Sequence, residues 1–318
     1  MTSSTPSLVC VGHIVHEVIR FPDRSEGPYL GGPPAYCSVA AARQGVAAAL
    51  VTRIGEDMPE ELLRPFAEAG VDTRGLARSG ATTRTELVYR SAGAKEILYG
   101  ARADAVRAAD VPTAYRGCDV VYVCTMDNDV PLDELGAVAG MGRISAIDLG
   151  GYGGVHVSPD RRAALRDLSF LALSAAAPFA VAKASDEDVA AIFGPVGEEK
   201  AAEMLLDAGC TVVVISAGAR GCFVSTRTGR WHVPPMTGRP VDATGGGDTF
   251  MAGFLASYRE TGDPLAAARW GSATAAIVIE RRGGVSVQRM PSRREVEERL
   301  APQEGRDRSP RQQRKEKS

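Results

Sequence analysis

Short apolar runs alternate along most of the chain with segments whose apolar positions recur every three or four residues. The runs LVCVGHIV (8–15), DVVYVC (119–124) and ISAIDL (144–149) hold few polar positions and predict strands that are buried on both faces. Segments such as AYCSVAAARQ (35–44) and PEELLRPFAEAG (59–70) predict helices. This alternation predicts an α/β fold in which helices cover a central, mainly parallel sheet.

Two further patterns indicate extended structure. TELVYRS (85–91) and KEILYG (95–100) flank a short Ala-Gly-Ala segment. GCFVSTRTGRWHVP (221–234) predicts a hairpin that turns at Thr228–Gly229. The charged segment from Glu304 to the last residue contains no apolar side chain, so we expect one domain over 1–303 followed by a disordered tail.

The composition narrows the class of protein. Of the 318 residues, 44% are hydrophobic and 24% are charged, which is typical of a soluble globular protein. A formal net charge of −2 gives no case for nucleic acid or an anionic membrane as a partner. No run reaches the ~20 apolar residues of a membrane span, and the N-terminus does not resemble a signal peptide. The six cysteines lack C-x-x-C spacing, which favours free thiols and a cytoplasmic location.

The segment VDATGGGDTF (241–250) carries the strongest chemical signal. Its three glycines precede a helix with apolar positions at Phe250, Met251 and Phe254. The first amides of a helix have no internal partner and lie at the positive end of its dipole, so glycines there favour an anion site. Asp248 at this turn suits a base that takes a proton from a hydroxyl attacking a phosphate, and plain helix capping is the alternative.

Three other segments are weaker candidates when read alone. GGPPAY (31–36) is a glycine pair that an ordinary loop would explain, and SAGARG (216–221) falls short of a dinucleotide fingerprint. GHIVHE places Glu17 near the end of the first predicted strand, where it either binds a hydroxyl ligand or faces solvent. The four histidines show no metal-binding spacing.

In this order, the motifs resemble the ribokinase-like sugar kinases, also called the PfkB family, over about residues 8–291. DATGGGDTFMAGF is similar to the family's C-terminal signature, GGPPAYCSVAAARQG to its N-terminal diglycine segment, and VVVISAGARG to its nucleotide-contacting T-x-G-x-x-G. The resemblance implies a small β-lid from segments near 13–35 and 82–102, with Gly31–Gly32 as its hinge.

The resemblance also implies roles for individual residues. Asp248 would be the catalytic base, and the amides of Gly245, Gly246 and Gly247 would form the anion hole. Nucleotide contacts are expected from a set spread over four segments: Lys183, Asp186, Ser216, Gly218, Gly221, Thr244 and Ser272. Asp186 and Asp242 are the expected metal-site residues, with ATP and Mg²⁺ as cofactors. The signature loop neighbours a monovalent cation in many family members, so potassium is an open expectation.

Three positions depart from the family pattern. Glu17 stands where an aspartate commonly binds substrate hydroxyls, and Tyr36 stands where an asparagine often contacts the sugar. The N-x-x-E motif reads KASD, so Lys183 and Asp186 replace its asparagine and glutamate. A lysine donates hydrogen bonds but cannot accept one as an amide oxygen does. These changes make ribose a poor candidate for the acceptor. The segments KASDED and the HE after GHIV resemble the inositol-kinase-like branch of the family.

The expected activity is transfer of the γ-phosphoryl group of ATP to a hydroxyl of a small polyol, sugar or nucleoside. Glu17, Gly31, Gly32, Tyr36, Arg84 and Asp248 are the expected acceptor-binding residues. A sugar-phosphate acceptor stays open because basic side chains are available in the lid region at Arg84, Arg90, Lys95 and Arg102. An inactive nucleotide- or sugar-binding regulator and a homodimer through the lid also stay open.

Overall fold

A nine-stranded sheet forms the centre of the protein in the computed structural model, which describes residues 5–91, 94–236 and 238–304. The strands, numbered along the chain, are β1 Leu8–Val11, β2 Val15–Arg20, β3 Ser25–Gly31, β4 Ala48–Ile54, β5 Asp72–Arg78, β6 Arg84–Ser91, β7 Ala94–Ala101, β8 Cys118–Cys124, β9 Gly142–Asp148, β10 Val181–Ser185, β11 Val212–Ser216, β12 Cys222–Thr226 and β13 Arg230–Val233. The sheet order is β13-β12-β11-β10-β9-β8-β1-β4-β5. Pairing is parallel from β11 to β5, and β12 and β13 are antiparallel.

Helices cover both faces of this sheet. They are α1 Pro33–Arg43, α2 Glu60–Ala69, α3 Leu135–Ala139, α4 Pro159–Ala164, α5 Leu168–Ala176, α6 Asp186–Phe193, α7 Glu198–Asp207, α8 Gly246–Thr261, α9 Pro264–Ile279 and α10 Arg293–Glu304. Two buried apolar clusters lie on the two sides of the strands, because parallel strands bury both of their faces. All six cysteines are buried free thiols, as the sequence predicted. Among the described helices, none is long and apolar enough to cross a membrane.

The second sheet is small and has the order β3-β2-β6-β7. Its strands fall within the two segments from which a lid was expected, near 13–35 and 82–102. One face carries an apolar cluster that includes Val15, Ile19, Leu87 and Ile97. Side chains alternate between faces along a strand, so Glu17 and Thr85 share this face while Arg84 lies on the other.

Several local predictions need correction. The expected strand 8–15 is two strands in different sheets, because Gly12, at φ +146°, breaks the extended run after Val11. The sequence pattern missed β5, α3, α4, α5 and α10. In α5 the run LSFLALSAA is apolar almost throughout and gives no amphipathic period. Glu304 ends α10 instead of starting a tail, and the rest of the expected tail lies outside the described residues.

Candidate active site

The glycine turn forms the N-terminus of α8. Gly245 is the N-cap residue in a left-handed conformation at φ +74°, and α8 begins at Gly246. The first helical hydrogen bond runs from the Thr249 amide to the Gly245 carbonyl at 2.9 Å. Asp248 is therefore the third residue of the helix, and the N-cap residue makes no side-chain cap. An acidic side chain in the first turn is also favoured by the helix dipole, so capping and a catalytic role both stay open for Asp248 from this position.

The amides of the turn are not equivalent. The Gly246 amide donates to the Ala243 carbonyl at 3.1 Å, which closes the turn itself. The amides of Gly247 and Asp248 precede the first i→i−4 bond and lie at the positive end of the helix dipole. The Gly246 amide therefore has an acceptor within the turn, whereas the amides of Gly247 and Asp248 lie where a helix start favours an anion. The anion hole expected from Gly245, Gly246 and Gly247 stays a prediction.

The three glycines also differ in the space beside them. A Cβ atom on Gly245 would overlap the ring of Tyr36, whereas one on Gly246 would lie 3.0 Å from Ile279 Cγ2. A Cβ atom on Gly247 would lie 3.4 Å from the ammonium nitrogen of Lys183. Gly245 is therefore required by packing, whereas a methyl group at Gly246 or Gly247 would meet a single neighbouring side chain.

Lys183 places a buried positive charge beside this turn. Its ammonium lies 2.8 Å from Asp148 Oδ2 at the end of β9, and both side chains are almost fully buried. Burial works against the charged form, but Asp148, Asp188 and Asp248 together raise the pKa of Lys183 above its ordinary value. The lysine therefore stays protonated and can attract a phosphoryl group at the helix start. No pattern in the sequence predicted its partner Asp148.

A cleft of about 230 Å³ opens beside the glycine turn. Its walls come from the start of α8, the face of α9, and the loops around β11 and β12. The lining residues are Ser216, Gly218, Gly221, Cys222, Pro235, Met236, Ala243, Gly246, Gly247, Phe250, Ser272, Ala275, Ala276 and Ile279. An apolar slot that ends at a helix N-terminus fits a nucleotide base followed by its phosphates.

Four of the expected nucleotide residues, Ser216, Gly218, Gly221 and Ser272, line this cleft, and three others do not. Thr244 is buried, and its hydroxyl lies 3.0 Å from the Tyr89 hydroxyl of β6, so it faces the small sheet. Lys183 lies beside Gly247, on the phosphate side. Asp186 begins α6 and pairs at 3.0 Å with Arg220, which lies in the Gly218–Gly221 turn.

Glu17 lies on the buried face of the small sheet and is only 3% exposed. The Thr85 hydroxyl donates to Glu17 Oε2 at 3.4 Å, and a Cβ atom on Gly31 would come within 2.9 Å of Glu17 Oε1. Gly32 adopts φ +91° at the start of α1, where a side chain would collide with the His13 carbonyl. The diglycine therefore lets the chain turn from β3 into α1 directly beside the Glu17 carboxylate.

Two expected acceptor residues occupy different positions from those predicted. Tyr36 is 2% exposed, and its ring packs against Gly245, so it supports the glycine turn instead of presenting a face to a ligand. Arg84 lies on the outer face of the small sheet and pairs with Asp57 at 2.8 Å. Of the remaining expected residues, Gly31 lies directly beside the Glu17 carboxylate. Burial and the carboxylates of Glu17, Asp242 and Asp248 raise the pKa of the Tyr36 hydroxyl, whereas the positive charge of Arg289 lowers it.

Asp242 and Asp186, the two residues expected at the metal site, differ in their burial and in their hydrogen-bond partners. Asp242 is buried, and its carboxylate accepts hydrogen bonds from the amides of Thr244 at 2.9 Å and Gly283 at 3.1 Å. Asp242 therefore holds the loop before the glycine turn in place, and its expected contact with a metal stays a prediction. Asp186 is half-buried and stays accessible beside the nucleotide cleft. No group of three or more potential metal ligands occurs in the described part of the chain. Mg²⁺ is usually held by one or two carboxylates together with substrate phosphates.

Arg289 is a residue of this site that the sequence reasoning missed. It follows the last segment of the resemblance, in VQRMPS, with no distinguishing pattern. Its side chain is 2% exposed and donates to the carbonyls of Asp242 at 3.2 Å and Thr244 at 2.8 Å. It also donates to the Tyr36 hydroxyl at 3.3 Å. Arg289 thus holds the loop that leads into the glycine turn.

A helix N-terminus with a half-buried aspartate, a protonated lysine and an apolar cleft describes a phosphoryl-transfer site on an α/β fold. Residues 5–290 match the pfkB family of carbohydrate kinases, and the chain belongs to that family. Its fold is the ribokinase-like fold. It is thus a kinase of the class that uses hydroxyl acceptors.

Known proteins similar to the chain act on different acceptors. The "Cytidine kinase" of Thermococcus kodakarensis is 28% identical over 81% of this chain and 90% of its own length. A structure of fructokinase from Vibrio cholerae O395 with fructose, ADP and potassium ion has a TM-score of 0.78 at 20% identity and covers 94% of this chain and 99% of its own. A pyrophosphate-dependent myo-inositol-1 kinase converted into a myo-inositol-3 kinase has a TM-score of 0.76 at 16% identity over 93% of this chain and 99% of its own. The two structural likenesses show the fold alone.

Proposed function

We propose that this protein transfers the γ-phosphoryl group of ATP to a hydroxyl of a ring-shaped polyol, sugar or nucleoside. The single observation that carries the proposal is the placement of Asp248. It is the third residue of α8, directly after Gly246 and Gly247, and its charge helps to raise the pKa of Lys183. A carboxylate beside an anion site has the geometry of a general base for phosphoryl transfer.

The reaction follows from the positions of these side chains. Asp248 accepts the proton of the acceptor hydroxyl as that oxygen attacks phosphorus. The amides of Gly247 and Asp248 and the ammonium of Lys183 stabilise the negative charge on the transferring group. Asp186, which is half-buried at the start of α6, and Asp242 are the carboxylates that would hold Mg²⁺, and the bound ion would neutralise phosphate charge.

The small sheet supplies the acceptor side. Glu17 offers a carboxylate that can accept hydrogen bonds from two neighbouring hydroxyls, which suits a cyclitol, a pyranose or a nucleoside. Tyr89 bonds to Thr244, one residue before Gly245, so the small sheet contacts the glycine turn directly. We infer that this sheet acts as a lid that keeps water from the phosphoryl group, with Gly31–Gly32 as its hinge.

A sugar-phosphate acceptor is the weaker alternative because the basic side chains considered for it are engaged. Arg84 pairs with Asp57 at 2.8 Å, and Arg90 pairs with Glu96 at 2.6 Å. Arg102 pairs with Asp127 at 2.7 Å and with Asp160 at 2.9 Å. The side chain of Lys95 lies outside the described residues. An acceptor phosphate would have to displace carboxylates from these arginines.

The experiment is a donor and acceptor panel with the full chain. ADP release is measured from ATP and Mg²⁺ with inositols, hexoses, ribose and nucleosides, and phosphate release is measured with pyrophosphate as the donor. We expect acceptor-dependent turnover with ATP and a ring-shaped acceptor, and poor turnover with free ribose. Tight binding of a sugar or nucleotide without turnover would favour the alternative of an inactive regulator.

Two further expectations belong to this proposal. The outer strands of the small sheet are β3 and β7, and such edges pair readily, which supports a homodimer through the lid. Light scattering of the purified chain should then give twice the monomer mass. We also propose a cytoplasmic location on the basis of the six free buried thiols. Labelling the chain in intact cells and fractionating them would test this location.

A further inference from the structure

Five hydrogen bonds surround the guanidinium of Arg289. Nε donates to the Arg281 carbonyl at 3.1 Å, and the two terminal nitrogens donate to the carbonyls of Gly283, Asp242 and Thr244 and to the hydroxyl of Tyr36. A guanidinium has five N–H groups, so every donor has an acceptor. The Asp242 carboxylate lies 3.7 Å away and offsets the charge.

These acceptors belong to the two segments that frame the glycine turn. Asp242 and Thr244 lead into Gly245, and Arg281 and Gly283 follow the end of α9. Four carbonyl oxygens and a carboxylate around one point form a site of negative potential, and such oxygen-rich sites are the kind that hard cations occupy in proteins. Without a positive charge between them, these oxygens would repel one another.

The sequence led us to expect potassium beside this same loop, and the residues present do not fit it. The carbonyls that would coordinate an ion already accept hydrogen bonds from Arg289, whose side chain is 2% exposed. We propose that the guanidinium of Arg289 takes the place of a monovalent cation in this chain, so the glycine turn is held in its active geometry without potassium. This proposal rests on the proposed function for its activity measurement alone.

Arg289 is accordingly a positioning residue. It donates hydrogen bonds to the carbonyl of Thr244, which precedes Gly245, and to the hydroxyl of Tyr36, whose ring packs against Gly245. Its removal should open a cation-sized site while leaving Asp248 in place. Either a free guanidinium ion or potassium should then refill that site.

The test compares the wild type with Arg289→Ala in potassium, sodium or tetramethylammonium chloride at equal ionic strength, with and without methylguanidinium. The wild-type rate should differ by less than about twofold between the salts, and the wild-type melting temperature by less than about 1 °C. The reason is that a cation without a binding site cannot stabilise one state of the protein over another. Arg289→Ala should lose roughly tenfold or more in rate and regain much of it with methylguanidinium or potassium. Its melting temperature should rise with the same two cations.

Arg53→Ala is the matched control, since Arg53 makes a bidentate pair with Asp110 in a different part of the sheet. Its melting temperature should not respond to either cation. Wild-type activation by potassium of more than about fivefold over sodium would overturn the proposal. So would a melting temperature of Arg289→Ala that neither cation changes.

The test still gives an answer if Arg289→Ala does not fold or if the wild type has no activity. If Arg289→Ala does not fold, Arg289→Lys retains the charge and should stay independent of potassium, and a potassium requirement in that variant would contradict the proposal. If no acceptor is phosphorylated by the wild type, the proposed function fails, while the melting temperatures still decide the role of Arg289.

Discussion

Replacing Gly245 and Gly246 separately by alanine should separate the packing role of the glycine turn from its ligand role. At Gly245 a left-handed conformation costs an alanine about 1–2 kcal/mol, and overlap with the Tyr36 ring adds about 1–3 kcal/mol. We therefore expect Gly245→Ala to lower the free energy of unfolding by roughly 2–5 kcal/mol. At Gly246 the new methyl meets only Ile279 Cγ2, at 3.0 Å, and alanine favours a helix.

Gly246→Ala should therefore change the free energy of unfolding by no more than about 1 kcal/mol. Its methyl group points into the cleft where the phosphates are expected, so the kinase rate should fall roughly tenfold or more. Urea unfolding followed by circular dichroism measures the first effect, and ADP release measures the second. A Gly245→Ala variant as stable as the wild type would contradict the packing role of Gly245. A fully active Gly246→Ala variant would contradict the ligand role of Gly246.

Two further predictions concern the charged groups on either side of Asp248. Glu17→Ala should raise the acceptor KM by roughly 10–150-fold, because hydroxyl groups lose a charged hydrogen bond, and the KM for ATP should not change; an unchanged acceptor KM would show that Glu17 lies outside the acceptor site. Lys183→Met should lower kcat by roughly 10²-fold and the free energy of unfolding by about 3–5 kcal/mol, because Asp148 is left buried and unpaired. In the double variant Asp148→Asn/Lys183→Met, stability should largely return and kcat should not; recovery of both would make the pair purely structural.

The sequence predicted the parts of the fold that depend on short-range signals. The buried strands, the amphipathic helices and the glycine turn with Asp248 all follow from periodicity and backbone chemistry in a single segment. The prediction failed at Gly12, where one glycine sends a continuous apolar run into two sheets. It also failed at α5, which has no polar face to mark its period.

The site was predicted less completely than the fold because much of it is tertiary. The sequence predicted Tyr36 as an acceptor-binding residue, whereas in the structure its ring packs against Gly245. Asp148 and Arg289 are single charged residues in unremarkable segments. Their roles depend on distant partners: Asp148 pairs with Lys183, and Arg289 donates to the carbonyls of Asp242 and Thr244. No local sequence pattern predicts such pairs.

A pair of aspartate variants tests whether Asp248 is the base of the reaction. Asp248→Asn keeps the shape of the side chain but cannot accept the proton, whereas Asp263→Asn alters an aspartate that only caps α9 by accepting from the Leu265 and Ala266 amides. Asparagine is an equally good cap, so the second variant should keep the wild-type rate.

With the best acceptor from the panel, kcat of Asp248→Asn should fall by roughly 10²–10⁴ while its affinity for ADP stays close to that of the wild type. If Asp248→Asn retains more than about a tenth of the wild-type kcat, Asp248 is not the base and the account of this site is wrong.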